Sequence, residues 1–254
     1  MQTYNRKIRL VHNIDLRVSK GIEFGPFANP IVLKKDSEVL YVDYFDEEKL
    51  IKKARNNPNL NPNDVVKLDY SLKNGPLLTL LSPHAPFDYV VSSHVFEHLP
   101  NPLGWLRDVS SLLKKGGIIN MAIPDRRFTF DYFRKETTYY DLLSFDFENL
   151  TIPNEFQLID HWTQVREVNT QLAWAEKPNI LSCKRYHDEQ QVLQKLQKAR
   201  TGQYLDCHCT VWTYDHFLAV LPLALEEKGI PLEIVFADIP VYGSNEFIVQ
   251  LTKK

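Results

Sequence analysis

The decapeptide from Gly21 to Pro30, GIEFGPFANP, closes an apolar run with a turn that few folds can use. An apolar segment that stops on Gly25-Pro26 reads as a strand end. Glycine there lets backbone N–H groups approach a ligand with no Cβ in the way. Asn29-Pro30 interrupts the chain a second time. Glu23 stands just before the turn, and Asp43 ends the next apolar run, VLYVD, about twenty residues further on. At that distance dinucleotide-type sites carry the carboxylate that takes the ribose hydroxyls of an adenosine. The glycines alone specify little. Phe27 and Asn29 occupy positions where a G-x-G-x-x-G loop has glycine, and a plain turn between a strand and a helix explains the stretch equally well.

The rest of the chain alternates strands with helices. After a polar stretch at 1–18, read as a short leading helix or arm, strands are expected at about 20–24, 39–42, 65–68, 87–91 and 118–123. Asp46 caps a helix over 47–55 whose first turn is acidic, and NNPNLNPN at 56–63 is pure turn chemistry. The run FDYVV is apolar enough to be buried on both faces. Pro102 opens a helix, LGWLRDVSSLLKKGG, with Leu103, Leu106, Val109, Leu112 and Leu113 at helical spacing and Gly116-Gly117 as its C-cap. Such alternation implies a parallel sheet with right-handed crossovers. Between about 132 and 202 the pattern changes to aromatic-rich helical stretches, 155–174 and 188–199, with no convincing strand. A helix at 214–227 follows, then strands at 233–237 and 246–251 that a short polar loop forces into antiparallel pairing. The expected fold class is α/β: a Rossmann-like doubly wound sheet, mostly parallel with a final antiparallel strand. It forms a single domain over 1–254 with a helical insertion at about 132–202.

Composition narrows the function. Of 254 residues 44% are hydrophobic and 24% charged, the profile of an ordinary globular protein. A net charge of −2 gives no basic stripe for nucleic acid, so none is expected as partner. The first twenty residues contain no apolar signal core, and nowhere do about 18 apolar residues run together. A cytoplasmic protein without membrane insertion is therefore expected. Three cysteines are an odd number and imply no disulfide framework. Cys207-His208-Cys209, with Cys183 and His187 upstream, does not have structural-zinc spacing, since Cys-x-Cys in an extended strand points to opposite faces; no metal is expected.

The order of these features resembles the class I S-adenosylmethionine-dependent methyltransferases. A Glu-Phe-Gly turn ends strand one, Asp43 ends strand two and Asp69 follows strand three. FDYVVSSHVFEHLPNP follows strand four, and LLKKGGIINMAIPD spans a helix end and strand five. The likeness covers about 19–131 and the terminal strands. A narrower likeness, carried by GIEFGPFANP, IPDRRFTFD and CTVWTYDHF, is to type 11-like methyltransferases of surface-polysaccharide and glycan contexts. Phe27 stands where many members have a second glycine, and Thr210 where the narrower group tends to have histidine before VWT.

By this resemblance the cofactor is S-adenosyl-L-methionine. Glu23 would stand near its methionine amino group, with Gly25 and its neighbour Pro26 approaching the cofactor. Asp43 would accept both ribose hydroxyls, since an ionised acceptor makes the stronger bond. Asp69 and Tyr70 would flank the adenine, and Ser93 and His94 would line the cofactor and face the substrate. All sit at carboxyl ends of strands, where open α/β sheets bind ligands. Methyl transfer needs alignment, exclusion of water and, for a hydroxyl or ammonium acceptor, removal of a proton. His94 is the preferred base, with His98 packing. A helical segment there would put both on one face, with Glu97 adjacent to His94 at i+3. A histidine satisfied by backbone groups is an equally good account of each. In PDRRFTFD, Arg126 and Arg127 would clamp an anionic group, and Asp125 or Asp131 would take a proton or orient a sugar hydroxyl. His208 beside Trp212 would line the substrate site. Tyr139, Tyr140, Trp162 and Trp174 would shield it or form the insertion's own core.

The acceptor implied is a hydroxyl or amine of a polar small molecule, with a sugar or glycan precursor as the narrower implication. Two other readings stay open in the sequence. A nicotinamide-dependent Rossmann oxidoreductase would need glycines this loop lacks, and a non-catalytic module would bind the cofactor without turnover. Whether the insertion makes a homo-oligomer is equally open.

Overall fold

The computed structural model describes residues 5–254; the first four residues of the expected leading arm lie outside them. The strands are β1 (Lys20–Phe24), β2 (Glu38–Asp43), β3 (Tyr70–Ser71), β4 (Phe87–Ser93), β5 (Leu113–Pro124), β6 (Leu232–Asp238) and β7 (Glu246–Lys253). The helices are α1 (Arg6–Leu10), α2 (Glu47–Arg55), α3 (Leu77–Leu81), α4 (Pro102–Leu112), α5 (Tyr139–Phe147), α6 (Glu155–Gln164), α7 (Thr170–Ala175), α8 (Glu189–Ala199) and α9 (Tyr214–Glu227). All seven strands form one sheet, in the order β3-β2-β1-β4-β5-β7-β6. Only β7 runs against its neighbours, pairing antiparallel with β5 and β6. The expected mostly parallel sheet with an antiparallel last strand is the observed one. β1 and β4 lie side by side, yet the chain leaves β1 toward β2 and leaves β4 toward β5. The strand order therefore reverses between them, which opens a crevice at their carboxyl ends.

One face of the sheet packs α3, α4 and α9 through Leu77, Leu81, Leu106, Phe217 and Leu221. The opposite face, built on Val39, Tyr41, Tyr89 and Val91, is covered by Leu10 of α1 and by Ile31 and Val32. No helix joins β1 to β2. Glu23 makes that arrangement possible: its buried carboxylate accepts from the N–H groups of Ile31 and Val32 at 2.7 and 2.9 Å, and so ties the irregular segment back to the strand. The plain reading of a turn leading into a helix fails here.

Four other expectations need correction. The third strand is not at 65–68 but at Tyr70–Ser71. Residue 66 is drawn away from the sheet edge by its N–H, which donates to the Phe27 carbonyl at 2.9 Å. Gly116-Gly117 does not cap a helix, because α4 ends at Leu112 and β5 already begins at Leu113. The register jumps there from Leu113, opposite Phe87, to Ile118, opposite Tyr89, so the two glycines belong to a bulge. The helix expected over 155–174 is two helices, broken where Val165 is extended and the Arg166 N–H donates to Phe130. His94 and His98 do not share an α-helical face. Phe96–His98 is a single 3-10 turn, and His94 has φ +53°.

Between β5 and α9 the chain makes a helical excursion that contains α5 to α8. Leu158, Trp162, Val192, Leu196, Cys207 and Cys209 form a small core of their own, which assigns Trp162 to packing. Trp174 stacks on Phe128 at 3.9 Å, while Tyr140 stands exposed.

Candidate active site

A cleft of ≈ 590 Å³ lies over the carboxyl ends of β1, β2 and β4, a volume that suits a small-molecule cofactor. Gly25, Phe27, Asp43, Ser93 and His94 are among its walls. Gly25 has φ +68°, and a Cβ there would lie 2.6 Å from Val95. Phe27 adopts φ +44° without being glycine, so the turn keeps its left-handed course at a cost in backbone strain. Asp43 projects from the end of β2, and one carboxylate oxygen accepts from the Phe45 N–H at 2.9 Å. Burial pushes its pKa up, against the Phe45 N–H and the nearby Lys53.

Four expected cofactor residues stand back from the cleft. Glu23 is buried behind the loop it braces, and burial lifts it to about 7 despite its two backbone donors. Asp69 accepts from the Tyr41 N–H and pairs with Lys34, each at 2.7 Å. Tyr70 points its hydroxyl at His84. Pro26 follows the turn without forming a cleft wall. In their place the cleft has an aromatic corner that local sequence does not announce. Tyr44 packs on Tyr204 with ring centroids 4.0 Å apart, and Phe45 lies 5.8 Å from Tyr204. Lys53 sits 4.2 Å from the centre of the Phe45 ring and pairs with Asp206 at 2.9 Å. Tyr204 and Asp206 come from the far end of the helical excursion, which thus closes over the β2 end.

Charges concentrate at the β4 end. The His94 side chain, still 34% exposed, lies between two carboxylates, with Nε2 2.8 Å from Glu246 and Nδ1 3.4 Å from Glu97. Burial alone would lower its pKa, but the Glu246 and Glu97 partners raise it to about 9. Its two carboxylate neighbours therefore favour the protonated imidazole. The Arg6 guanidinium reaches from α1 to hold Glu246 at 2.6 and 2.8 Å and also contacts Ser93 Oγ. His98 pairs through Nδ1 with Asp206 at 2.8 Å, and Asp206 with Glu97 likewise lifts it to about 9. Arg6, Glu246 and Asp206 are the participants that sequence reasoning did not place. Glu97 carried a signal in its EHL context; an arginine in a polar leader carried none.

A second cavity of ≈ 190 Å³ adjoins the first and shares His94 and His98 with it. Glu97, Thr129, Phe130 and His208 complete much of its wall. His208 Nδ1 lies 2.5 Å from Asp131, whose pKa is held far below the usual range: His208 and Arg134 outweigh its burial. Asp125 and Arg126 do not reach either cavity. The Asp125 carboxylate is engaged by the Arg127 side chain at 2.7 and 2.8 Å and by the Tyr214 N–H at 3.0 Å. Arg126 donates to the carbonyls of Tyr132 and Arg134 at 2.7 and 2.5 Å. The expected anion clamp is instead a brace that starts the helical excursion.

A methyltransferase-domain family model matches residues 18–174. The chain belongs to this methyltransferase family. It is a class I S-adenosylmethionine-dependent methyltransferase, and the expected fold, enzyme class and cofactor stand. No curated protein matches it. Among solved structures, one named for a Zn-dependent alcohol dehydrogenase from Rhodobacter sphaeroides is similar with TM-score 0.52 and 13% identity, over 98% of this chain and 88% of that one. Likeness at that identity is one of fold alone, and the name does not carry over. The CcbJ methyltransferase of Streptomyces caelestis aligns over 98% of this chain and 94% of its own, at 12% identity and TM-score 0.47. A SAM-dependent methyltransferase from Methanosarcina mazei aligns over 96% of both chains, at 13% identity and TM-score 0.45. No described helix of this methyltransferase is long and apolar enough to cross a membrane.

Proposed function

We propose that this methyltransferase transfers the cofactor's methyl group to a hydroxyl or amine of a polar small molecule, with a sugar or glycan precursor the first acceptor to test. The observation that supports this is the pair of adjoining cavities. A cofactor-sized cleft over β1, β2 and β4 meets a smaller polar chamber at His94 and His98. Two compartments that share one wall suit an in-line displacement: the sulfonium lies on one side, the nucleophile on the other, and little water between. The chamber is too small to enclose a macromolecule. Its Thr129 and histidines suit a hydroxyl-bearing group.

We assign Asp43 to the ribose hydroxyls, Gly25 and Ser93 to the cofactor's passage across the strand ends, and the Tyr44, Phe45 and Tyr204 corner to the adenine. The whole chain acts as one methyltransferase-like domain, with the excursion after β5 serving as cover. Three unpaired cysteines suit a reducing, cytoplasmic setting.

Calorimetric titration with S-adenosylmethionine, S-adenosylhomocysteine and NAD tests the cleft, and an acceptor screen of sugars and amines tests the chamber. Asp43→Ala is expected to weaken S-adenosylhomocysteine binding by about 1–3 kcal/mol, the scale for losing hydrogen bonds to a charged group. Unchanged affinity in the folded variant would remove Asp43 from the ribose, and NAD binding alone would overturn the reading of the cleft.

A further inference from the structure

Glu97 is the least explained side chain in the molecule. It is completely buried, and neither carboxylate oxygen makes a well-formed hydrogen bond; the nearest charged neighbour, His94 Nδ1, stands 3.4 Å away. Burying a carboxylate without such bonds is costly, and an occurrence in a folded chain asks for a ligand. Imidazole nitrogens nonetheless surround it: His98 Nε2 and His208 Nε2 each lie 3.9 Å from its Oε1. We propose that Glu97, His98 and His208 bind a divalent transition-metal ion, Zn²⁺ or Mn²⁺, between the cofactor cleft and the smaller chamber.

One ligand atom from each of these side chains lies within 4.8 Å of the others, the single such group among the described residues. Donors about 2.1 Å from a common tetrahedral ion stand about 3.4 Å apart, so the two separations from Glu97 need to contract by about half an ångström and the widest separation in the group by up to about 1.4 Å. The far nitrogen of each ring also lies beside a carboxylate, as in metal-binding histidines: a hydrogen bond for His208 and a close charged contact for His98. His98 Nδ1 faces Asp206 at 2.8 Å and His208 Nδ1 faces Asp131 at 2.5 Å. Asp131 is itself fixed by Arg134 at 2.7 Å. The backbone enforces the meeting, because the Glu97 carbonyl accepts from the N–H groups of Cys209 and Thr210 at 2.6 and 3.1 Å and seats His208 opposite. Two imidazoles and one carboxylate suit borderline divalent ions over Ca²⁺ or Mg²⁺, and three protein ligands leave positions open. All three residues line the ≈ 190 Å³ chamber, so those positions face it.

An acceptor oxygen bound there would lose its proton more readily. Only this last consequence rests on the methyl-transfer reading; the binding of the ion does not. It also replaces the expectation that no metal belongs to this chain. Cys207 and Cys209 are not needed, since their sulfurs face each other at 3.7 Å.

The test uses untagged full-length protein stripped with a chelator, then titrated calorimetrically with Zn²⁺ and Mn²⁺ and loaded with Co²⁺ for its visible spectrum. About one ion per chain is expected. Affinity should fall by at least about 100-fold in Glu97→Gln and persist in the Cys207→Ser/Cys209→Ser double variant. His98→Gln gives the same test if Glu97→Gln does not fold. Folded wild-type protein that binds none of the three ions overturns the proposal. So does binding that survives Glu97→Gln or His98→Gln, or vanishes with the cysteines. S-adenosylhomocysteine titration of the stripped protein separates the two readings: cofactor binding without metal binding removes the ion alone, and metal binding without cofactor binding removes the methyl-transfer reading alone.

Discussion

The two sides of the crevice satisfy their buried charges in opposite ways. On the β1–β2 side carboxylates turn to nearby backbone: Glu23 to Ile31 and Val32, Asp43 to Phe45. On the β4 side charged side chains turn to one another across great sequence distances, as in Arg6 with Glu246 and Asp131 with His208. A carboxylate held by backbone N–H groups is specified by the loop around it. A carboxylate held by an arginine or histidine is specified by the whole fold, and losing either partner leaves a charge stranded.

The largest difference should come from Arg134. Its guanidinium is 1% exposed and pairs with Asp131 and Asp160, each at 2.7 Å, while donating to the His208 carbonyl at 2.8 Å. Arg134→Met should cost about 3–5 kcal/mol in urea unfolding, because Asp131 stays buried without its cation. A loss below about 1 kcal/mol would erase the contrast between the two sides.

Glu23 gives the next effect, and a different kind. Burial raises it from 4.5 to about 7, so across that interval the folded chain keeps a proton that the unfolded chain has released. Stability from this group therefore falls as pH rises through the interval, by on the order of 3 kcal/mol. Glu23→Gln should flatten that slope in thermal melts, at the expense of one of the two backbone donors losing its acceptor. Parallel slopes for the two proteins would show that Glu23 is ionised throughout.

Lys53 should matter least. Its ion pair with Asp206 is 40% and 34% exposed, so Lys53→Ala is expected to change stability by less than about 1 kcal/mol. Salt titration of the difference checks that the contribution is a screened one. A large effect would mean that the aromatic corner depends on the lysine stem and not on the charge.

This contrast also explains what was legible in the sequence. The strands of the sheet, the Gly25 turn, Asp43 at the end of β2 and the EHL segment after β4 all appear as local apolar runs with a polar stop. β3 was misplaced because Val65–Leu68 has strand composition, yet what decides pairing is a distant carbonyl on Phe27. Gly116-Gly117 has the composition of a helix cap as well as of a strand bulge, and only the partner strand separates the two. Asp125 and Arg126 drew attention as charges after a strand, and they are spent on Arg127, Tyr214 and the carbonyls of Tyr132 and Arg134. Arg6 and Glu246 meet from opposite ends of the chain. No periodicity records such a meeting.

The helical excursion leaves and rejoins the sheet at one place. Asp125 bridges to Trp212, and the Arg126 N–H donates to the Trp212 carbonyl at 2.8 Å. The segment between them is a loop closed at its neck, and lengthening a closed loop changes its entropy only slowly. Evolution can therefore insert, trim or exchange helices there while the strand ends beneath keep their places. A chimaera that takes this segment from a relative, joined at Asp125 and Trp212, would exchange Phe130 and His208 of the smaller chamber together with Tyr204 and Asp206 of the cleft, and leave Gly25, Asp43 and Ser93 in place.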